Sequence, residues 1–418
     1  MASRVRVVAS AAAVVLVANA GVAQDAIRLE LTYRPSSRVG VTVAPATAPT
    51  AFRTLADSVT AMLRRDLQLD GRIDVAADTT ANWRLESHLE ALGTGIRWRL
   101  ALVDRVYGQT RQRLEVALPP LEGANFRLTV HAAADEAVRW LVGSPGAAAS
   151  RIAFLRAGRG SKELYVVDSD GFGVRRLTAD GSIALSPAWS PDGRRLAYVS
   201  FRSGRAAVVE RDLSTGAERP VAVDAVMAIT PAYLPDGALL VAVARAEGFA
   251  LVRREADGAC CRVVAAAPAS DALSPSPSPD GQSVVFVSNR LGPPHLFVQS
   301  SAGGPARLLT PVGPGAYFVA PEWSPRGDAI AFAARVDGAF RIGLVGPDGT
   351  GLRWLTTRGN AEDPSWAPDG RRLVVASDEG LVVLDVDTGQ RRVLVPGRGL
   401  GLPAWSPRLL SFGTGDVR

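Results

Sequence analysis

The chain of 418 residues has little of what most small-site chemistry requires. It has only two cysteines, the neighbours Cys260 and Cys261, too few for a disulfide framework. A vicinal disulfide is open to the pair in an oxidising compartment, but two thiols on opposite faces of a strand is the simpler expectation. With so few ligands near them, neither form makes a metal site. The three histidines, His88, His131 and His295, fall in a predicted strand, a predicted helix and a repeat loop, which gives no shared metal ligation. There is no Gly-x-Ser-x-Gly elbow, no Gly-x-x-x-x-Gly-Lys-Ser/Thr loop and no His-Glu-x-x-His pair, so no enzyme, cofactor or metal is expected. Asp168, Asp170, Asp385 and Asp387 are candidates for calcium by type, yet they sit in hairpins, where turn aspartates are ordinary. Lys162 is the only lysine. The net charge of +6 comes from arginines scattered singly or in pairs, such as Arg194 and Arg195, without the stripe that nucleic-acid binding needs.

The one sustained apolar run is at the start. Arg4 and Arg6 precede Val7 to Val17, and small residues at Ala18 and Ala20, then Gly21 and Ala23, offer cleavage positions before Gln24. The run is too short to span a bilayer, and the pattern predicts a secretory signal over 1–23 and a periplasmic mature chain.

What the sequence has in abundance is a repeat. Ser186-Pro187-Ala188-Trp189-Ser190-Pro191-Asp192-Gly193 recurs as Thr230 to Gly237, Ser274 to Gly281, Ala320 to Gly327, Asp363 to Gly370 and, shortened, Leu402 to Pro407. The Trp position falls at 189, 233 (Tyr), 277 (Pro), 323, 366 and 405, a spacing of 39 to 46 residues that matches propeller blades. Pro-Asp-Gly is a tight turn, and a strand of the Leu196 to Ser200 kind follows each. A second hairpin completes each unit around Asp170-Gly171, Thr215-Gly216, Asp257-Gly258, Gly303-Gly304, Asp348-Gly349 or Thr388-Gly389. Six heads and six tails are present but out of phase. The last head stops at Pro407, before its core strand, and the first tail follows an orphan strand, Arg151 to Leu155. The two ends of the repeat region therefore complete one blade and close a six-bladed ring.

Residues 24–146 lack the repeat. Alternation predicts strands at Ile27 to Leu31 and Arg38 to Val43 and a hairpin of 83–92 with 96–103; Phe52, Leu55, Val59, Met62, Leu63 and Leu67 predict a helix over 50–68, and a second is expected over 125–142. The fold class is thus an all-β six-bladed propeller (147–418) preceded by a small α/β domain (24–146).

The Trp-Ser-Pro-Asp-Gly repeats place the chain beside a broad group of propellers. Glu163 to Thr178, Leu185 to Arg205, and His131 to Gly143 ahead of Arg151 to Phe154 narrow this, because they resemble the TolB family of the Tol–Pal system. The resemblance implies a monomeric periplasmic interaction protein that maintains outer-membrane integrity. It implies binding of the peptidoglycan-associated lipoprotein Pal through loops preceding the Trp heads, here Tyr317, Glu322, Arg358, Asn360, Glu362 and Asp363. It implies binding of TolA through the mature N-terminus, here Gln24, Asp25, Ile27, Leu29 and Leu31. The chain departs from the family at Tyr233 and Pro277, where Trp is usual, and in the apolar loops Val226 to Ile229 and Ala316 to Val319. Those departures leave open a secreted propeller that binds another envelope protein, a peptide or a glycan.

Overall fold

The computed structural model describes residues 38–76, 81–123 and 125–412. A five-stranded sheet comes first, from β1 (Val39–Val43), β2 (Ile73–Val75), β3 (Trp83–Leu92), β4 (Gly95–Asp104) and β5 (Gln109–Leu118), in the order β2-β1-β3-β4-β5. Strand β1 runs parallel to both its neighbours, and β3, β4 and β5 form an antiparallel meander. Helix α1 (Arg53–Asp70) buries Leu55, Val59, Leu63 and Leu67, one stripe at helical spacing. Helix α2 (Phe126–Val142) buries Phe126, Val130, Ala133, Ala134 and Ala137. Both stripes meet the sheet around fully enclosed Trp98. Each helix ends on a left-handed glycine, Gly71 (φ 82°) and Gly143 (φ 80°), a conformation other residues adopt at a cost. The expected strand at 27–31 lies outside the described residues.

Six four-stranded antiparallel sheets follow. Blades one to five begin at the inner strands Ala184–Trp189, Ala228–Tyr233, Ala272–Pro277, Phe318–Trp323 and Ala361–Trp366. Blade six pairs Leu400–Trp405 with Arg151–Ala157, then with Lys162–Asp168 and Arg175–Arg176. The split blade read from the repeat is therefore present. Six apolar clusters fill the six seams between neighbouring blades, so no seam is left open.

The repeated residues act locally. Ser190 Oγ donates to Asp192 (2.6 Å) and accepts the Arg195 N–H (2.9 Å), while Gly193 (φ 68°) donates to the Ser190 carbonyl (2.9 Å). Two of the Trp indoles stitch blades together: Trp189 Nε1 reaches Ala404 O (2.9 Å) and Trp366 Nε1 reaches Glu322 O (3.0 Å). The inner strands share a device that the sequence pattern did not announce. The residue before proline in each one, Ser186, Thr230, Ser274, Ala320, Asp363 and Leu402, has φ between 45° and 52°. The pairing register shifts at the same place in every blade. One left-handed residue per blade bends the inner strand where the ring is narrowest.

Cys260 and Cys261 are joined as a vicinal disulfide, in the turn before the strand Arg262–Ala265. The expectation of two thiols on opposite strand faces is corrected: a turn has no alternating faces to separate them.

Candidate functional site

Each propeller face is defined by which strand connections reach it. The Pro-Asp-Gly turns and the outer hairpin turns share one face, and the α/β module sits there on blades five and six. Arg127 Nε and Nη2 donate to Asp168 (2.8 Å) and Asp170 (2.7 Å), His131 Nδ1 pairs with Asp66 (2.7 Å), and Arg372 Nη1 donates to the Leu69 carbonyl (3.0 Å). Asp66, His131 and Asp170 bring one ligand atom each within 4.8 Å of one another, a spacing that suits a cation. The Arg127 guanidinium already occupies that position, and it makes the trio an ion-pair lock. Burial alone would lower the His131 pKa; the Asp66 carboxylate, with Asp170 behind it, overcomes that and raises it. Asp385 caps its own turn, accepting N–H groups from Asp387 (3.1 Å) and Thr388 (2.8 Å).

The opposite face carries the blade-to-blade loops and, among the described residues, is free of the module. Val226 (75% exposed), Met227, Leu291, Val312 and Tyr317 (37% exposed) stand out on it. The Tyr317 ring meets Phe340 edge-on at 6.2 Å. Asn360 Oδ1 accepts the Phe340 N–H (3.0 Å), and its amide donates to Glu362 (3.4 Å). Arg358 is exposed beside them, on the rim of a 420 Å³ groove floored by Val375, Val382 and Leu384. The structure thus brings Tyr317, Arg358, Asn360 and Glu362 into one neighbourhood.

It sets two expected loop residues apart. Glu322 and Asp363, like Glu362, lie on inner strands rather than in loops. Glu322 and Asp363 line the axial channel, on different sides of a ring of prolines. Asp363 faces a small cavity of 170 Å³ toward the free face, with Ser186, Thr230, Ser274, Ala320 and Leu402. Glu322 faces a wide cavity of 550 Å³ that opens at the Pro-Asp-Gly turns. Burial raises the Asp363 carboxyl to about 6, against the Leu402 N–H that it accepts (3.1 Å). Gln24, Asp25, Ile27, Leu29 and Leu31 lie outside the described residues.

The architecture and the repeats can now be set against known proteins. The family model of the TolB beta propeller domain matches residues 138–409. The chain belongs to the TolB propeller family. A "Tol-Pal system protein TolB" from Anaeromyxobacter sp. (strain K) is 38% identical over 148 residues, 35% of this chain and 32% of that protein. Another of that name, from Methylococcus capsulatus, is 29% identical over 226 residues, 48% of this chain and 53% of that protein. The chain spans about a third to a half of the length of these curated relatives. The crystal structure of TolB from Acinetobacter baumannii matches with a TM-score of 0.74 at 21% identity, covering 89% of this chain and 97% of that one. That likeness extends the shared fold beyond the propeller to the α/β module. Among the described residues, no helix is long and apolar enough to cross a membrane.

Proposed function

We propose that the protein is a non-enzymatic periplasmic component of a Tol–Pal system. In this reading it contributes to outer-membrane integrity by holding Pal on its propeller and TolA on the mature N-terminal segment. The observation that carries this reading is the TolB propeller match, which extends across all six blades. The free face supports a docking role: it gathers Tyr317 and Arg358, two of the residue types enriched at interface hot spots, with Asn360 and Glu362 beside them. Asp363, at the narrow axial mouth behind them, supplies a carboxylate to the same partner. The segment Gln24 to Tyr33, with Ile27, Leu29 and Leu31 alternating, suits pairing of an extended strand with TolA.

The test is an affinity pulldown from the native envelope with the mature chain and with a form lacking residues 24–33. The expected result is Pal with both forms and TolA only with the longer one. Tyr317→Ala combined with Arg358→Glu should weaken Pal capture by about 2 kcal/mol or more, the cost typical of removing an interface anchor. Recovery of neither protein, with a different envelope ligand in their place, would overturn the assignment.

A further inference from the structure

The wide axial cavity lies on the other side of the proline ring from the free face. The inner-strand position after each proline is Ala188, Ala232, Ser276, Glu322, Ser365 or Ala404. Five of these are small, and one is a carboxylic acid. Where serine stands, it staples the next blade: Ser276 Oγ accepts the Trp323 N–H (2.9 Å) and Ser365 Oγ accepts the Trp405 N–H (2.9 Å). Glu322 makes the same staple with Oε1, accepting from Trp366 N–H (3.0 Å) and Ser365 Oγ (3.1 Å). The staple therefore needs only a hydroxyl, and the carboxyl exceeds what the ring requires. Its other oxygen, Oε2, takes no donor among the described residues and is left to the channel.

The surroundings of that oxygen define what it can hold. The 550 Å³ cavity is walled by prolines, including Pro187, Pro275 and Pro403, and by Trp189, Trp323 and Trp405. Among the described residues, none lining either axial cavity is Lys, Arg or His, and none comes from the α/β module. An uncompensated carboxyl in such a place favours a cation that brings its own apolar stem. Aliphatic stems pack on proline and indole surfaces while the charged head reaches the acid, and indole faces attract cations.

We propose that this mouth of the channel binds the side chain of an arginine or lysine presented by a partner polypeptide, with its cationic head paired to Glu322. This inference does not rest on the Tol–Pal reading, and it uses the mouth opposite to the proposed Pal face.

The test uses the mature full chain with indole nitrogens labelled with ¹⁵N and followed by NMR. Probes are acetyl-Gly-Arg-Gly-amide, its uncharged isostere with citrulline in place of arginine, and calcium chloride alone. The arginine peptide should shift a subset of indole signals saturably, and the citrulline peptide should bind at least about tenfold more weakly, a difference of 1.4 kcal/mol. Glu322→Gln, which keeps the acceptor for Trp366 and removes the carboxyl that a bound cation would hold ionised, should lose the preference for arginine while its melting temperature stays near that of the parent. Should that variant not fold, Glu322→Ser restores the serine staple of blades three and five and serves the same purpose. Equal binding of the two peptides, unchanged arginine binding in either variant, or saturation by calcium alone would each overturn the proposal. The peptide titration needs neither Pal nor TolA, so this test and that of the proposed function can fail separately.

Discussion

At the scale of single residues, the ring stores its constraints in two rows of side chains along the axis. The Glu322 carboxyl is pushed up to about 8 by burial, against the hydrogen bonds of Trp366 and Ser365. The folded protein therefore keeps a proton that the unfolded chain has already released above about pH 4.3. Stability contributed by the neutral acid declines as pH rises from there toward 8. Glu322→Gln should flatten this slope by close to one proton, which urea unfolding at several pH values will measure; identical slopes would mean that Glu322 is ionised in the fold. The left-handed row makes a different prediction. A non-glycine residue at such a φ costs about 1–2 kcal/mol, whereas glycine loses about 0.5–1 kcal/mol in extra chain freedom. Ala320→Gly should accordingly be neutral or stabilising, while Ala331→Gly, in the enclosed strand Ile330–Val336 of the same blade, should destabilise by about 1 kcal/mol. These φ values were not legible in the sequence, because Ser, Thr, Ala, Asp and Leu share no chemistry. The bulge before each proline imposes the conformation, and only the aligned backbones reveal it. Glu322 was picked out as a loop residue for a related reason: proximity to a Trp head does not say whether a residue precedes or belongs to the strand.

At the scale of elements, the closing strand Leu400–Trp405 carries more than its length suggests. Trp405 seals the seam between blades five and six, and its indole donates to Ser150 Oγ (2.7 Å). Trp405→Ala should cost about 3–5 kcal/mol, the usual penalty for emptying a large buried site. Thermal unfolding will read this, and a loss below 1 kcal/mol would mean the seam is held elsewhere. The pairing of this strand with Arg151–Ala157 was readable in advance because each half kept its own motif, a Trp head without a core strand and a core strand without a head. Strand β5 was not, since Gln109 to Arg113 are all polar and only Leu114, Val116 and Leu118 alternate. That stretch is a sheet edge, wet on one face, and its periodicity is too brief to stand out. The helices were legible to within a few residues because their apolar stripes run for several turns.

At the scale of the whole molecule, a chain of enclosed charges joins the α/β module to blades five and six. Arg372 is the clearest member: it donates to Leu69 O (3.0 Å) and pairs with Asp369 (2.8 Å), and both side chains are largely shielded from water. Removing it leaves Asp369 buried without its partner, so Arg372→Ala should destabilise by about 3–5 kcal/mol. Arg391→Ala, which breaks the open pair with Glu379, should cost no more than about 1 kcal/mol. Urea midpoints of the two variants will separate these cases, and equal losses would remove the special role assigned to the shielded pair. None of this network was visible beforehand, since its members lie up to about three hundred positions apart and no local pattern links Leu69 to Arg372.

The split sixth blade also sets an order of events. Strand Arg151–Ala157 is made before the five other blades, and its inner neighbour, Leu400–Trp405, only after them. A chain emerging N-terminus first must keep that strand unpaired on one side until the five intervening blades have emerged. Its circle cannot be finished piecemeal, and a copy cut short before Leu400 would present two raw margins, ready to pair with those of another unfinished copy.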